Sequence, residues 1–324
     1  MEKKTNLWGW KSLFVLLILA AVFLLFSGKA IHKEPREIVL ILKVIDSSND
    51  FWTAIIQGAN MAAREYDARL TVMGPDAETK YEEQGKMIEE AIAMKPDAIA
   101  LAPSNYTETL KYARKIEEAG IRLILIDSVM EEEAGSSVVA TDNVEAGRKM
   151  GRYVAEHFSD ITGIGIVGHV KGVSTATERE QGFREGLGNL EGKVQEVVFC
   201  DSDYRKAYQV TKEMLKDHPQ INVIAGLNEY SSVGAAKAVK DLGLAGKIRM
   251  IGFDSSMKEV KFLEDGTFDA IVVQKPLNMG YLSIETTMQL LDNKEVPENV
   301  DSGSALITKD TMYTEENQKL LFPL

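Results

Sequence analysis

The sequence predicts an α/β protein of two similarly built lobes, each on a parallel sheet, behind an apolar N-terminal segment. Three observations carry that reading. From Glu37 onward, short apolar runs alternate with helical ones; the pattern of the first half returns in the second; and residues 13–26 form an unbroken apolar run of 14 residues that belongs to neither half.

The first half reads in order as EIVLILKVI, a helix to Asp67, ARLTVMG, a helix to Met94, AIALAP, a helix to Ala119 and IRLILID. β-rich runs alternating with helices imply parallel βαβ units with helices on both faces of a sheet. The second half repeats the landmarks. Gln57-Gly58 aligns with Gln181-Gly182, Pro96 with Pro219, and Asp127 with Asp254. The intervals from Gly58 to Pro96 and from Gly182 to Pro219 are 38 and 37 residues; the last step drifts, 31 against 35. A repeat of this size means two lobes, each with its own sheet.

The N-terminus differs in kind. MEKKTNLWGWK carries Lys3, Lys4 and Lys11 ahead of the apolar run, with Trp8 and Trp10 at its edge. With Ser27 and Gly28 appended, the segment approaches the roughly 20 residues that span a bilayer. The lysines predict a cytoplasmic start and an exported body. The expectation is an uncleaved membrane anchor with the body extracytoplasmic. Signal cleavage near Gly28 and Ala30, leaving a free periplasmic protein, is the alternative. No cysteine follows to carry a lipid.

Composition narrows the function. The 324 residues are 45% hydrophobic and 27% charged, as in ordinary globular proteins. A formal charge of −12 opposes nucleic acid as a partner, since phosphate binding needs a basic face. The single cysteine, Cys200, excludes an internal disulfide or a multi-cysteine metal site and reads as a small buried side chain. Four histidines at 32, 157, 169 and 218 show no ligand spacing, so neither a metal nor another cofactor is expected.

In open parallel sheets, ligands bind outside the carboxyl ends of the strands. Those ends carry Asn49, Phe51, Trp52, Asn105 and Asp127 in the first half. In the second they carry the TATER segment, Asn228, Glu229 and Asp254. Facing sheets would line a cleft with carboxylates, amides, an arginine and aromatic rings. Such a set suits a sugar: carboxylates and amides take hydroxyls, Arg179 donates in a fixed fork, and rings cover the C–H faces. Taken singly, each has a plainer reading, an aromatic packed under a loop or an Asp capping a helix.

From about Glu37 to Lys309, these landmarks resemble the type I periplasmic sugar-binding proteins, nearest to the ribose-binding group. The family's Asn, paired aromatics and following Gly match Asn49, Phe51, Trp52 and Gly58. Its strand-end Asp matches Asp127, and its Arg three residues before Gly-Phe matches Arg179 in ATEREQGF. Its second-lobe aromatic matches Tyr204 in CDSDYRKAY, its Asn before an acidic residue Asn228, its Gly-Phe-Asp the run to Asp254, and its last amide Gln274 in IVVQKP. Ser128 stands where the ribose-binding pattern has Arg, and Trp52 where ribose binders often have Phe. Both departures put ribose itself in doubt.

The resemblance implies Rossmann-like lobes joined by a three-strand hinge, with crossings near Thr141–Asn143, Gln274 and Ser302–Gly303. It divides the chain into residues 1–36 (start, anchor or signal, and linker), 37–141 with 274–302 (first lobe), 142–273 with 303–310 (second lobe) and a 311–324 tail. It further implies binding of a monosaccharide, a pentose such as xylose or ribose or else a hexose. Phe51 and Trp52 would clamp the ring against Tyr204 as the hinge closes.

A non-lipidated, tethered sugar binder resembles the xylose-sensing binding proteins of clostridia. That implies a sensor partnered by a histidine kinase ectodomain. The substrate-binding subunit of an ABC importer, partnered by its permease, is the alternative, and a sugar-processing enzyme a more distant one. No enzyme activity is expected.

Other motifs fall away. GIGIVG matches a dinucleotide pattern, but its glycines lie within a strand-like run instead of opening a helix. Ser256 with Glu259 reads as a capping box, not part of a catalytic SxxK. Asp127 and Asp254 could pair as in a glycosidase, but that needs a raised pKa and a water path. A repressor of the same fold would need a basic helix-turn-helix where this chain has its apolar segment.

Overall fold

Strand β1 (Arg36–Ile41) shows how the sequence builds its sheets. Ile38 and Leu40 enter one hydrophobic cluster and Val39 and Ile41 another, so both faces of the strand are covered. Burial on both faces is why the run is apolar throughout instead of alternating. The computed structural model describes residues 34–322. The expected anchor or signal, Leu13 to Gly28, lies outside the described residues. Residues from Arg36 onward form one compact unit. Among the described residues no helix is long and apolar enough to cross a membrane.

After β1 come α1 (Asp50–Glu65), β2 (Ala68–Met73), α2 (Tyr81–Met94), β3 (Ala98–Leu101), α3 (Leu110–Glu118), β4 (Arg122–Ile126) and β5 (Val138–Ala140). The chain then builds α4 (Asn143–His157), β6 (Ile164–Gly168), α5 (Ser174–Leu187), β7 (Val194–Phe199), α6 (Tyr204–Asp217), β8 (Val223–Gly226) and α7 (Glu229–Asp241). Next are β9 (Arg249–Phe253), α8 (Met257–Glu264), β10 (Ala270–Gln274), α9 (Pro276–Leu291), β11 (Asn299–Asp301), β12 (Ser304–Thr308) and α10 (Glu315–Leu321).

The strands form two six-stranded sheets, ordered β11-β5-β4-β3-β1-β2 and β12-β10-β9-β8-β6-β7. The chain changes sheet between β5 and α4, between β10 and α9, and between β11 and β12. All pairs are parallel except β10 with β12, where Gln274 stands opposite Ser304. The exception follows from the path: β10 runs toward the junction between lobes, α9 and β11 carry the chain through the other lobe and back, and β12 starts from the junction.

The repeated Gln-Gly pairs have a packing role. Helix α1 lies on α9, and α4 on α5, at backbone distance. A Cβ on Gly58 would stand 1.9 Å from the Leu277 carbonyl oxygen, and one on Gly182 would stand 1.9 Å from that of Val144. No side chain fits either crossing, so each lobe closes its helix pair on a glycine.

The sequence sets residues 311–324 apart as a tail. Within them, Met312 and Leu321 enter the core of the second lobe, and Thr314 caps α10. Cys200 is buried there too, and burial pushes its thiol up to about 12. GIGIVG lies largely within β6, and Ser256 caps α8 in a reciprocal box with Glu259.

Candidate functional site

The ends of β1, β4, β6, β8, β9 and β10 meet between the lobes around a small cavity. The lobes are drawn together at its rim. The Tyr230 hydroxyl donates to Asp46 Oδ2 (2.8 Å), the Ser202 hydroxyl to Glu78 Oε2 (2.6 Å), and the Asp50 amide to Glu229 Oε2 (3.1 Å). The Asp50 carboxylate accepts the Met257 amide in return (3.0 Å), and the Val129 amide donates to Ser174 Oγ (3.0 Å).

From the first lobe, Asn49 caps α1, its Oδ1 accepting the Trp52 amide at 3.0 Å. The cap fixes the corner that turns Phe51 and Trp52 inward, edge to face with centroids 5.1 Å apart. Trp52 Nε1 donates to Glu78 Oε1 at 2.9 Å, which locks the indole. Asp127 stands just past β4 and is paired with Lys43 Nζ at 2.6 Å; both side chains are almost wholly buried. Lys43 stands two residues past β1, and its charge has a structural reason to sit inside: it neutralises Asp127.

From the second lobe, Arg179 projects from α5. Its Nε donates to Asn143 Oδ1 (2.8 Å) and its Nη1 to the Leu227 carbonyl (2.9 Å), while the guanidinium lies 3.9 Å over the Phe253 ring. Burial lowers Arg179 from its usual value, and the carboxylates of Asp254 and Asp127 pull it back. Asp254 accepts Gln274 Nε2 (2.6 Å) and the Glu229 amide (2.8 Å), and burial raises it. His169 bonds through Nε2 to Thr175 Oγ1 at 2.9 Å. Burial, and then the charges of Arg179 and Lys43, hold it well below the usual histidine range, so the ring is neutral. Asn228 caps α7 much as Asn49 caps α1, in a reciprocal box with Ser231. Two buried polar atoms on this wall have no partner, His169 Nδ1 and Gln274 Oε1. A buried polar atom without a partner costs free energy unless something meets it.

The cavity thus brings together Asn49, Phe51, Trp52, Asp127, Arg179, Asn228, Asp254 and Gln274. Of the residues carried over with the family resemblance, two are not on its wall. Ser128 turns away, its hydroxyl donating to the Pro103 carbonyl at 3.2 Å. Tyr204 lies behind the wall: Asp203 caps α6, which places Tyr204 first in the helix with its hydroxyl on Glu229 and on the Ser48 carbonyl. The aromatic that reaches the cavity from this lobe is Tyr230, packed against Tyr204 with centroids 4.7 Å apart. Asn105 is spent on its own turn, accepting the Thr107 and Glu108 amides. Among the described residues no cluster of His, Cys, Asp and Glu is arranged to hold a metal ion.

Two lobes joined by three crossings, with polar and aromatic groups converging between them, match a known pattern over most of the chain. The Periplasmic binding protein domain matches residues 38–295. The chain belongs to that family, among the type I periplasmic sugar-binding proteins. Family relatives include the D-ribose/D-allose-binding protein of Pseudomonas aeruginosa, 25% identical over 90% of this chain and 94% of its own. The ribose import binding protein of Bacillus subtilis is 24% identical over 85% and 89%. Among solved structures, a sugar transporter from Clostridium phytofermentans is 45% identical, with a TM-score of 0.80 over 84% of this chain and 99% of that one. An ABC transporter solute binding protein from Agrobacterium vitis, solved with D-fucose, is 30% identical, with a TM-score of 0.84 over 88% and 100%.

Within this family member, sequence reasoning does not single out Lys43, Glu78, His169 or Tyr230, all of which line the cavity. His169 and Tyr230 were within reach of the strand-end rule, since they follow β6 and β8 closely. Lys43, a charge at the end of an apolar run, was a signal as well. Glu78 lies in a loop with no periodicity to mark it.

Proposed function

We propose that this protein binds one monosaccharide outside the cytoplasm, in the cavity between its lobes, and closes on it by hinge motion without chemical turnover. The observation that carries this is the convergence of His169 Nδ1 and Gln274 Oε1, both buried and unpartnered, with the carboxylates of Asp127 and Asp254. Phe51, Trp52 and Tyr230 supply apolar faces at the same place. Sugar hydroxyls both donate and accept, so they meet such a mixed set without burying a net charge. Asn49, Asn228 and the Arg179 Nη2 edge supply donors. Asp127 and Asp254 are each held by a fixed partner, Lys43 and Gln274, which suits binding better than proton transfer.

The relatives' names, ribose import and D-ribose/D-allose binding, together with neighbours solved with D-fucose and D-arabinose, support a pentose or hexose. They also favour the role of substrate-binding subunit for an ABC importer, whose permease would be the partner. A membrane-tethered sensor acting on a histidine kinase is the second reading. Its support is the lysine-flanked apolar run at residues 13–26 with no cysteine to carry a lipid.

Thermal unfolding against xylose, ribose, arabinose, allose, fucose and glucose tests the binding. Binding to the folded state alone raises the midpoint by mass action. One sugar should raise it sharply; no shift with any would discard the reading. The mass of the N-terminal peptide from cell membranes separates the roles, since a mature chain starting after Ala30 would remove the tether.

A further inference from the structure

Beside the inner cavity lies a second and larger groove of about 300 Å³. It runs between α1, the Asp254–Met257 loop, the start of α9 and the C-terminal Leu321 and Phe322. Phe51, Asp254 and Gln274 line both spaces, so the groove lies directly against the inner cavity with these three side chains between them. We propose that it is a second saccharide subsite, so that the cleft accepts a sugar carrying a further ring on its glycosidic oxygen. This rests on the monosaccharide reading above and extends it to disaccharides and aryl glycosides.

Three features point to that class of ligand. First, the groove offers uncommitted hydrogen-bonding groups: the side chains of Gln57 and Ser255 line it and make no bonds within the protein. Second, it has exposed apolar faces at its rim. Met257 is 61% and Phe322 38% exposed, two of the few large apolar side chains left in solvent among the described residues. Polar groups beside apolar faces are what a sugar ring or an aryl aglycone requires. Third, its lining favours neutral ligands: it carries the carboxyls of Asp50, Glu229 and Asp254 and no lysine or arginine to pair with a phosphate or an acidic sugar.

The test is calorimetric titration of the full chain with xylose, arabinose, ribose, glucose and allose. The same titrations are run with xylobiose, cellobiose and the phenyl glycosides of those sugars. Each is repeated on Gln57→Trp, which fills the groove from an exposed position on α1 that does not line the inner cavity. At least one two-ring compound should bind wild type as tightly as its free sugar or more so. Gln57→Trp should then weaken it more than tenfold while leaving the free sugar within twofold. Free sugar binding with every two-ring compound weaker by a hundredfold overturns the subsite and leaves the monosaccharide reading standing. So does a two-ring ligand that Gln57→Trp does not affect. If Gln57→Trp does not fold, the wild-type comparison decides alone. Absence of binding by any compound overturns the monosaccharide reading, and the subsite with it.

Discussion

Asp127 and Asp254 end matching strands, β4 and β9, with the same left-handed backbone, φ 68° and 84°, and present their carboxylates to one cavity from opposite lobes. Aspartate tolerates this conformation better than most residues, yet it is a strained one, and such strain gathers at functional sites. The two are held differently. Asp127 is paired with a full charge, Lys43 Nζ, whereas Asp254 leans on the Gln274 amide and the Glu229 N–H.

That difference gives a stability prediction. Removing one member of a buried ion pair leaves the other charge uncompensated, at a cost of about 3–5 kcal/mol. Lys43→Met should destabilise the protein by about that amount in urea unfolding, and adding Asp127→Asn should recover most of it. Equal stability of Lys43→Met and wild type would show that the pair contributes nothing to the fold.

Ligand affinity should track the charged donors and acceptors. Asp127→Ala and Arg179→Ala should each weaken sugar binding more than tenfold, since a hydrogen bond to a charged group contributes on the order of 1.5–3 kcal/mol. Calorimetry of both variants reads this directly. Unchanged affinity in both would remove them from the site.

The glycine crossings predict a paired effect. Gly58→Ala and Gly182→Ala each drive a methyl into a carbonyl of the facing helix, and overpacking of this kind costs about 1–3 kcal/mol. Both should lower the thermal midpoint, each through its own lobe. A neutral result at either would mean that helix pair separates freely.

Acidity should act through Glu229. Burial is the largest cause raising it to about 7, and the charges of Asp254 and Asp50 add to it against the Tyr204 hydrogen bond. Its folded pKa lies above the ordinary value of 4.5, so between roughly pH 4.5 and 7 the folded state binds more proton than the unfolded. Stability therefore falls as pH rises through that window. His169 works in the opposite sense, because its folded pKa is depressed. The comparison that isolates Glu229 is with Glu229→Gln: from pH 5 to 7.5 wild type should lose stability relative to the variant. Parallel curves for the two would contradict the assignment.

Much of the fold was legible because both sheets are covered on both faces, which writes each strand as an apolar run such as Ile38 to Ile41. The repeat was legible because each lobe needs a glycine at the same crossing. Strand ends led to Asp127 and Asp254, since that rule depends only on topology. Less was visible where a residue's role depends on a partner far along the chain. Glu78 is held in the wall by Trp52 and Ser202, which both donate to it from elsewhere in the chain. Tyr204 and Tyr230 both follow acidic residues, and their hydroxyls separate them: that of Tyr230 reaches Asp46, while that of Tyr204 is drawn to Glu229 and Ser48. The antiparallel β12 depends on the chain's path between lobes, which no local pattern records.

The central claim is that a monosaccharide is held between the lobes by these atoms. A crystal structure of the protein grown with the sugar picked out by thermal unfolding tests it most directly. The account predicts one sugar ring bordered by Phe51, Trp52 and Tyr230, with hydroxyls within hydrogen-bonding distance of Arg179, His169 Nδ1 and Gln274 Oε1. A sugar bound elsewhere, with Arg179 and Gln274 untouched, would contradict it.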